Sequence, residues 1–161
     1  MAEQHFLRFA LHNETEDLIF EVRKGDSERL EHILKSATFD EDNPTPFYFH
    51  SLDGRAVVIN LRQVQAVRFL WEPVAAPSDM VVNEDLILIK LRGRAETLDV
   101  FSEDWDQVFL AFYDLEMGVR AYPSFLDEDG ELLTISAREL VWMSAPAHLV
   151  EEGRLKVEAE S

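Results

Sequence analysis

The chain has 161 residues, no cysteine and a formal net charge of −17, from 32 acidic and 15 basic residues. Its hydrophobic content of 47% can fill a core and excludes a disordered acidic tail, and the missing cysteines exclude disulfides, thiolate zinc sites and a thiol nucleophile. The acidity disfavours nucleic acid and anionic membranes as partners, because both attract a positively charged surface. Residues 1–11 carry no signal-peptide pattern and no apolar run is long enough to span a membrane, so we expect a cytoplasmic protein.

An internal repeat begins near the N-terminus. Glu16–Ile19 recurs 68 residues later as Glu84–Ile87. The segments that contain these motifs, Asp17–Arg23 and Asp85–Arg92, are rich in aliphatic residues and end at glycine turns, a pattern that predicts strands. The residues after each turn are ambiguous. Ser27–Lys35 has the apolar spacing of a helix, but its equivalent in the second copy alternates like a strand, and we predict a strand in both.

The second block of the repeat predicts hairpins. Phe49–Gly54 returns 76 residues later as Phe125–Gly130, and both segments contain an Asp-Gly pair that suits a type I′ turn. A short break at Leu61–Gln63 then leads into a predicted closing strand that begins at Val64. The same pattern recurs at Ala137–Met143 in the second copy.

The second copy gains a helix that the first copy lacks. Ser102–Gly118 has an apolar face at helical spacing, with Gly118 in position to end the helix. Asp104 and Gln107 have the spacing of a capping box at its start. The apolar face consists of Trp105, Val108, Phe109 and Phe112.

Together these elements resemble the Sm-like family of small β-barrels. The matching segments are Val22–Gly25 and Ile59–Val67 in the first copy, with Lys90–Gly93 and Ile135–Leu140 in the second. The resemblance implies a mainly-β (α+β) fold of two tandem Sm-like barrels, with one helix inserted in the second. We divide the chain into a first copy (1–73), a linker (74–80), a second copy (81–147) and an acidic tail that frays (148–161).

The resemblance implies ring assembly and binding of single-stranded RNA, as in family members of known role. Their RNA pocket uses an Asp-x-x-x-Asn element on the third loop and an Arg-Gly element on the fifth, and neither appears in the corresponding loops of this sequence. Arg62 and Arg138 lie near the second element, but no glycine follows either of them. The resemblance therefore favours the fold more than it favours RNA binding.

Six basic residues form the candidate ligand site. Four of them lie at equivalent turn tips and two lie near the predicted closing strands, so that they could form two related anion-binding patches. The alternative is that they are merely solvated turn residues. The six residues are Arg23, Lys24, Arg62, Arg92, Arg94 and Arg138.

The sequence offers no pattern for catalysis, a cofactor or a metal. The five histidines are scattered without metal-ligand spacing, and no nucleophile elbow or glycine-rich phosphate loop occurs. Asp127–Gly130 resembles part of a calcium loop, but the later ligand positions do not fit, and a hairpin explains it better. We therefore expect a protein that is not an enzyme, with no catalytic residue, no metal and no cofactor.

The function predicted from sequence is a non-catalytic interaction or scaffold module. Aromatic residues at Phe47–Phe49 and Phe69–Trp71 cannot all face one interior if they lie on strands, which leaves some for the other copy or for self-association through strand edges. The alternative function is RNA or nucleotide binding through the basic turn tips. A third is mimicry of nucleic acid by acidic segments such as Glu14–Asp17 and Asp40–Asp42.

Overall fold

The computed structural model of the protein describes residues 4–12, 14, 16–36, 46–70 and 85–160. The predicted linker (74–80) lies outside these residues. The first half comprises β1 (His5–Leu11), β2 (Leu18–Val22), α1 (Lys24–Ser36), β3 (Phe47–His50), β4 (Arg55–Ile59), a 3-10 turn (Leu61–Gln63) and β5 (Val64–Leu70). The second half comprises β6 (Ile87–Leu91), β7 (Leu98–Val100), α2 (Trp105–Met117), β8 (Ser124–Leu126), β9 (Leu132–Thr134), a second 3-10 turn (Ala137–Glu139), β10 (Leu140–Pro146) and α3 (Ala147–Glu160).

The described strands form three antiparallel sheets. Their orders are β2-β1-β5, β3-β4-β10-β6-β7 and β8-β9. This mixed arrangement confirms the prediction of a strand-rich α+β protein. The predicted closed barrels are not formed, because each sheet ends in strands that are paired on one side only within the described residues.

The same order of elements occurs in both halves. In the first half, β1 pairs with β2 and β5, and in the second half β6 pairs with β7 and β10. Equivalent backbone hydrogen bonds accompany this pairing: His12 N donates to Gln63 O over 2.7 Å, and Arg92 N donates to Glu139 O over 2.8 Å. Each half therefore places its 3-10 turn against the end of its first strand.

The strand registers give a different correspondence from the 68-residue spacing of the first sequence block. Phe9 pairs with Leu18, and Ile89 pairs with Leu98, which relates β1 to β6 and β2 to β7 at a spacing of 80. The sequence alignment had instead matched β2 with β6. The two strands are similar because both are aliphatic, but β2 lies at a sheet edge whereas β6 lies between β7 and β10.

Strands β4 and β10 lie at the centre of the molecule and join the halves. Both strands contribute to two hydrophobic clusters. In β4 the side chains alternate: Ala56 and Val58 enter the cluster around α2, while Val57 and Ile59 enter the cluster that contains the phenylalanines of β1, β2 and β3. Buried Arg55 reinforces the pair, because its Nε donates to Ser144 Oγ over 2.9 Å.

Helix α1 replaces the strand predicted at Ser27–Lys35. Leu30 is buried, and Ile33 and Leu34 pack against the phenylalanine-rich cluster, so the helical apolar spacing decides the structure. Lys24 opens this helix rather than forming a turn tip. The prediction was wrong because the 68-residue spacing matched this segment with β7, whereas α1 lies between β2 and β3 just as α2 lies between β7 and β8.

Helix α2 is confirmed as a helix, but it is not an insertion peculiar to the second half, because α1 lies at the same place in the order of elements. Its predicted capping box is not formed. The helix ends at Gly118, which has the left-handed φ of 67° that favours glycine. The Asp104 side chain makes no capping hydrogen bond. Gln107 Oε1 instead accepts from Leu126 N over 3.0 Å, and Ser102 Oγ accepts from Asp104 N over 3.1 Å.

Both Asp-Gly hairpins are confirmed, with longer turns than predicted. Residues 51–54 connect β3 to β4, and Gly54 alone needs a positive φ, of 92°. In the second hairpin Asp127 Oδ1 accepts from the backbone N of Asp129 and of Glu131, each over 2.9 Å. These bonds explain the acidic segment as a turn.

The predicted fraying of the C-terminal residues is wrong, since α3 covers Ala147–Glu160. Val150 and Gly153 are buried on the side that faces α2. Arg154 forms ion pairs with Glu151 and Glu158 one turn away on either side. Packing on one face and ion pairs on the other thus stabilise a helix with few large apolar residues.

Candidate functional site: an arginine cleft between the halves

A cleft of about 530 Å³ opens where the two 3-10 turns meet the end of α2. Three arginines from three different segments line it: Arg62, Arg120 and Arg138. Glu116 is the carboxylate in its lining, and Leu115, Met117 and Tyr122 supply its apolar surface. We call this feature the arginine cleft.

Asn60 fixes the first 3-10 turn and with it Arg62. Its Oδ1 accepts from Arg62 N over 3.0 Å, and its Nδ2 donates to Leu140 O over 2.7 Å. Its backbone N also donates to Val141 O over 2.9 Å. One buried side chain therefore caps the turn of the first half and binds the final strand of the second half.

The second 3-10 turn is held against the segment that follows α2. Ala137 N donates to Ala121 O, and Ile135 N donates to Pro123 O, both over 2.9 Å. These bonds place exposed Arg138 beside the Arg120–Tyr122 segment. The two turns lie 76 residues apart in sequence, so Arg62 and Arg138 occupy equivalent places in the two halves.

Arg120 enters the cleft because α2 stops at Gly118. Its Nε pairs with Asp114 Oδ2 over 3.1 Å, which orients the guanidinium across the end of the helix. Tyr122 follows with 65% of its surface exposed. The end of α2 thus supplies a cation and an aromatic ring on one rim.

The charge in the cleft is opposite to that of the chain as a whole. The lining has three arginines and one carboxylate, and Asp114 pairs with Arg120 from outside the lining, in a protein with 15 basic and 32 acidic residues. Burial raises the pKa of the Glu116 carboxyl, and Arg29 partly opposes that rise. A concave surface with this balance can attract an anion, and planar guanidinium groups can bind its oxygens in pairs.

The structure divides the six predicted site residues among separate places. Only Arg62 and Arg138 share the arginine cleft. Arg23 and Lys24 border a shallower depression of about 400 Å³ beside β1 and β2. Arg92 pairs with Glu139 over 3.3 Å, and Arg94 is exposed in the connection between β6 and β7. The six residues therefore do not form two matching patches.

Sequence reasoning missed Arg120 and Glu116 as residues of the site. Both belong to α2 or to the segment that follows it, where the sequence predicts a helix but no functional residue. The sequence signal that could have identified Arg120 is Gly118. A helix that ends at this glycine reverses the chain, which brings Arg120 back toward the C-terminal end of α2.

A histidine and a tyrosine on β3 form a second polar contact. Tyr48 Oη lies 2.7 Å from His50 Nε2. Burial lowers the pKa of His50, and burial together with Glu116 and Glu151 raises the pKa of Tyr48. Both groups are therefore favoured in their neutral forms, which suits a structural hydrogen bond.

The acidic segments that suggested nucleic-acid mimicry do not form one described surface. Asp40–Asp42 lies outside the described residues. Glu14 pairs with buried Lys90 over 3.3 Å, and Asp17 pairs with Arg8 over 2.7 Å. These two carboxylates therefore have cationic partners within the chain.

The part of the chain that the structure describes contains no group of three or more histidine, aspartate or glutamate side chains arranged to hold a metal ion. None of its helices combines the length and apolar character needed to cross a bilayer. Comparison with protein-family models, with curated proteins and with solved structures finds no match to this chain.

Proposed function

We propose that the protein is a non-catalytic interaction module that assembles with further copies of itself through the edges of β5 and β9 that have no strand partner within the described residues. The observation that carries this proposal is the pairing of β4 with β10, the strand contact between the two halves. At the 76-residue spacing, β5 is the equivalent of β10, and β9 is the equivalent of β4. Within the described residues, β5 pairs only with β1, and β9 pairs only with β8.

The burial of equivalent strands supports the proposal. Every residue of β4 and of β10 is buried, whereas β5 and β9 contain exposed positions. Leu132 of β9 is 63% exposed, although Ala56, its equivalent in β4, is completely buried. An exposed edge strand with an apolar side chain favours pairing with another chain.

The β4–β10 register defines how two copies would pair. Ser144 lies opposite Val57, and Ala145 lies opposite Ala56. The equivalent positions place Arg68 of one copy opposite Leu133 of a second copy, and Phe69 opposite Leu132. Such a contact is heterologous, so repetition of it closes a ring of copies or extends a filament.

The mass in solution tests the proposal. We expect light scattering to give at least twice the chain mass of 18.6 kDa. Leu132→Lys should yield the monomer, because a lysine at an edge opposes strand pairing. Leu155→Lys is the matched control, since Leu155 is also exposed but lies on α3. A monomeric wild type, or an equal effect of both variants, contradicts the proposal.

Cross-linking tests the register, and the absence of cysteine makes the result unambiguous. The double variant Arg68→Cys with Leu133→Cys should form disulfide-linked dimers and higher oligomers in mild oxidant, because facing cross-strand residues have suitable Cβ separations. In the control, Gln65→Cys with Leu133→Cys, the first site is displaced by about 10 Å along the strand. Equal cross-linking of both pairs would refute the register.

RNA binding through the basic turn tips is the less favoured alternative. The residues proposed for it lie on separate surfaces, and Arg92 is paired with Glu139. Binding of a polyanion needs a continuous positive field, which a dispersed set of arginines on an acidic protein does not provide.

A further inference from the structure

The arginine cleft is separate from the edges of β5 and β9 and differs from them in its three arginines. We propose that it binds a small phosphorylated ligand of nucleotide size. The inference rests on the juxtaposition of Arg62, Arg120 and Arg138 in one concave site between the halves. It does not depend on self-association.

The three arginines belong to three different segments. Arg62 follows the capped turn of the first half, Arg138 lies in the turn of the second half, and Arg120 follows α2. Asp114 orients Arg120 through its 3.1 Å ion pair. A phosphate between the two turns would therefore bridge both halves, with guanidinium groups donating to different oxygens.

The size and apolar wall of the cleft indicate what accompanies the phosphate. A volume of about 530 Å³ is typical of sites for small organic ligands. Leu115 and Met117 supply apolar surface, and the exposed ring of Tyr122 can stack on a planar group. A ligand with a phosphate at one end and a heterocycle at the other could place the phosphate on the arginines and the heterocycle on the apolar side chains.

A small ligand is favoured over a nucleic acid by the charge outside the cleft. The net charge of −17 repels an extended polyanion, whereas a compact phosphate meets only the local surplus of arginines. Glu116 is the lining carboxylate, and burial disfavours its charged form. The local field is therefore positive only over a short range.

Calorimetric titration with three probes tests the inference. The probes are inorganic pyrophosphate, adenosine diphosphate, and a mixed-sequence single-stranded RNA of about ten nucleotides. We expect saturable binding of the first two, with the adenine compound binding more tightly. Arg62→Ala and Arg138→Ala should each weaken binding about tenfold or more, since each removes a charge-assisted hydrogen bond. Tyr122→Ala should weaken adenosine diphosphate without affecting pyrophosphate.

Arg94→Ala is the matched control, because Arg94 is exposed and lies outside the cleft. Its affinity for both small probes should equal that of the wild type. Circular dichroism of each variant confirms that the fold is retained. No saturable binding of either small probe overturns the inference, as does an equal loss in Arg94→Ala. Binding of the RNA alone also overturns it and favours a polymeric ligand.

Discussion

At the scale of single residues, the two halves use equivalent positions differently. Asn60 and Ser136 each precede a 3-10 turn. Asn60 caps its turn and also reaches Leu140, while the Ser136 side chain makes no capping bond. Both residues line the arginine cleft, and Asn60 additionally serves the contact between the halves.

Asn60→Ala should lower the free energy of unfolding by about 2 kcal/mol, because it leaves the buried Leu140 carbonyl without its side-chain donor. Ser136→Ala should change stability by less than about 0.5 kcal/mol, since no capping bond is lost. Urea unfolding of both variants measures the difference. Equal destabilisation would show that Asn60 does not join the halves.

His50 should make the protein less stable in mild acid. Burial lowers its pKa in the folded state below the ordinary 6.5, so only the unfolded chain takes up a proton readily as the pH falls. The free energy of unfolding is therefore unaffected by His50 above pH 6.5. Between pH 6.5 and the lower pKa of the folded state, it decreases by at most about 1.4 kcal/mol for each unit that the pH falls. Urea unfolding at several pH values measures the slope, and His50→Gln should reduce it. An unchanged slope would assign the effect to other groups.

The residues of the site were only partly predictable. Arg62 and Arg138 were predicted from the 76-residue spacing, and the two 3-10 turns that carry them do lie at equivalent places in the two halves. Arg120 could not be identified in this way, since its approach to the cleft depends on where α2 ends and how it packs. Arg23 and Lys24 were assigned to a turn that the structure replaces with the start of α1.

At the scale of elements, the contact between α2 and α3 depends on one glycine. A Cβ at Gly153 would lie 2.0 Å from Trp105 O and 2.5 Å from Trp105 C, both backbone atoms. The two helices can therefore approach closely only because position 153 has no side chain.

Gly153→Ala should destabilise the protein by about 1–3 kcal/mol, since overpacking outweighs the higher helix propensity of alanine. Gly25→Ala is the control: Gly25 is also helical, and nothing lies within 4 Å of the added Cβ, so stability should be unchanged or slightly higher. Thermal melting should show a lower midpoint for the first variant only. Similar midpoints would mean that α3 packs less closely than described.

Local signals predicted the elements that depend on local chemistry. The Asp-Gly hairpins and the glycine end of α2 follow from backbone preferences that neighbouring residues cannot override. Helix α3 was missed because its sequence has few large apolar residues, and its stability comes from packing on α2. The strand assigned to Ser27–Lys35 failed because similarity between the halves was given more weight than the helical spacing of Leu30, Ile33 and Leu34.

At the scale of the whole molecule, the two halves share their cores. Strand β10 supplies Met143 and Ala145 to the cluster around α2, and Val141 and Trp142 to the phenylalanine-rich cluster. Neither cluster is complete when β4 and β10 separate. The association of the halves is therefore part of folding, in contrast to the proposed association of chains.

The shared strands predict that the two clusters unfold together. Trp105 packs against the cluster around α2, and Trp142 lies in the other, so variants that keep one or the other can report on each cluster separately. The first carries Trp71→Phe and Trp142→Phe, and the second carries Trp71→Phe and Trp105→Phe. Fluorescence in urea should follow the circular dichroism transition within each variant, because loss of β4–β10 pairing exposes both clusters in one step. A Trp105 transition displaced from the circular dichroism transition, or a plateau between two steps, would show that the halves fold as independent units.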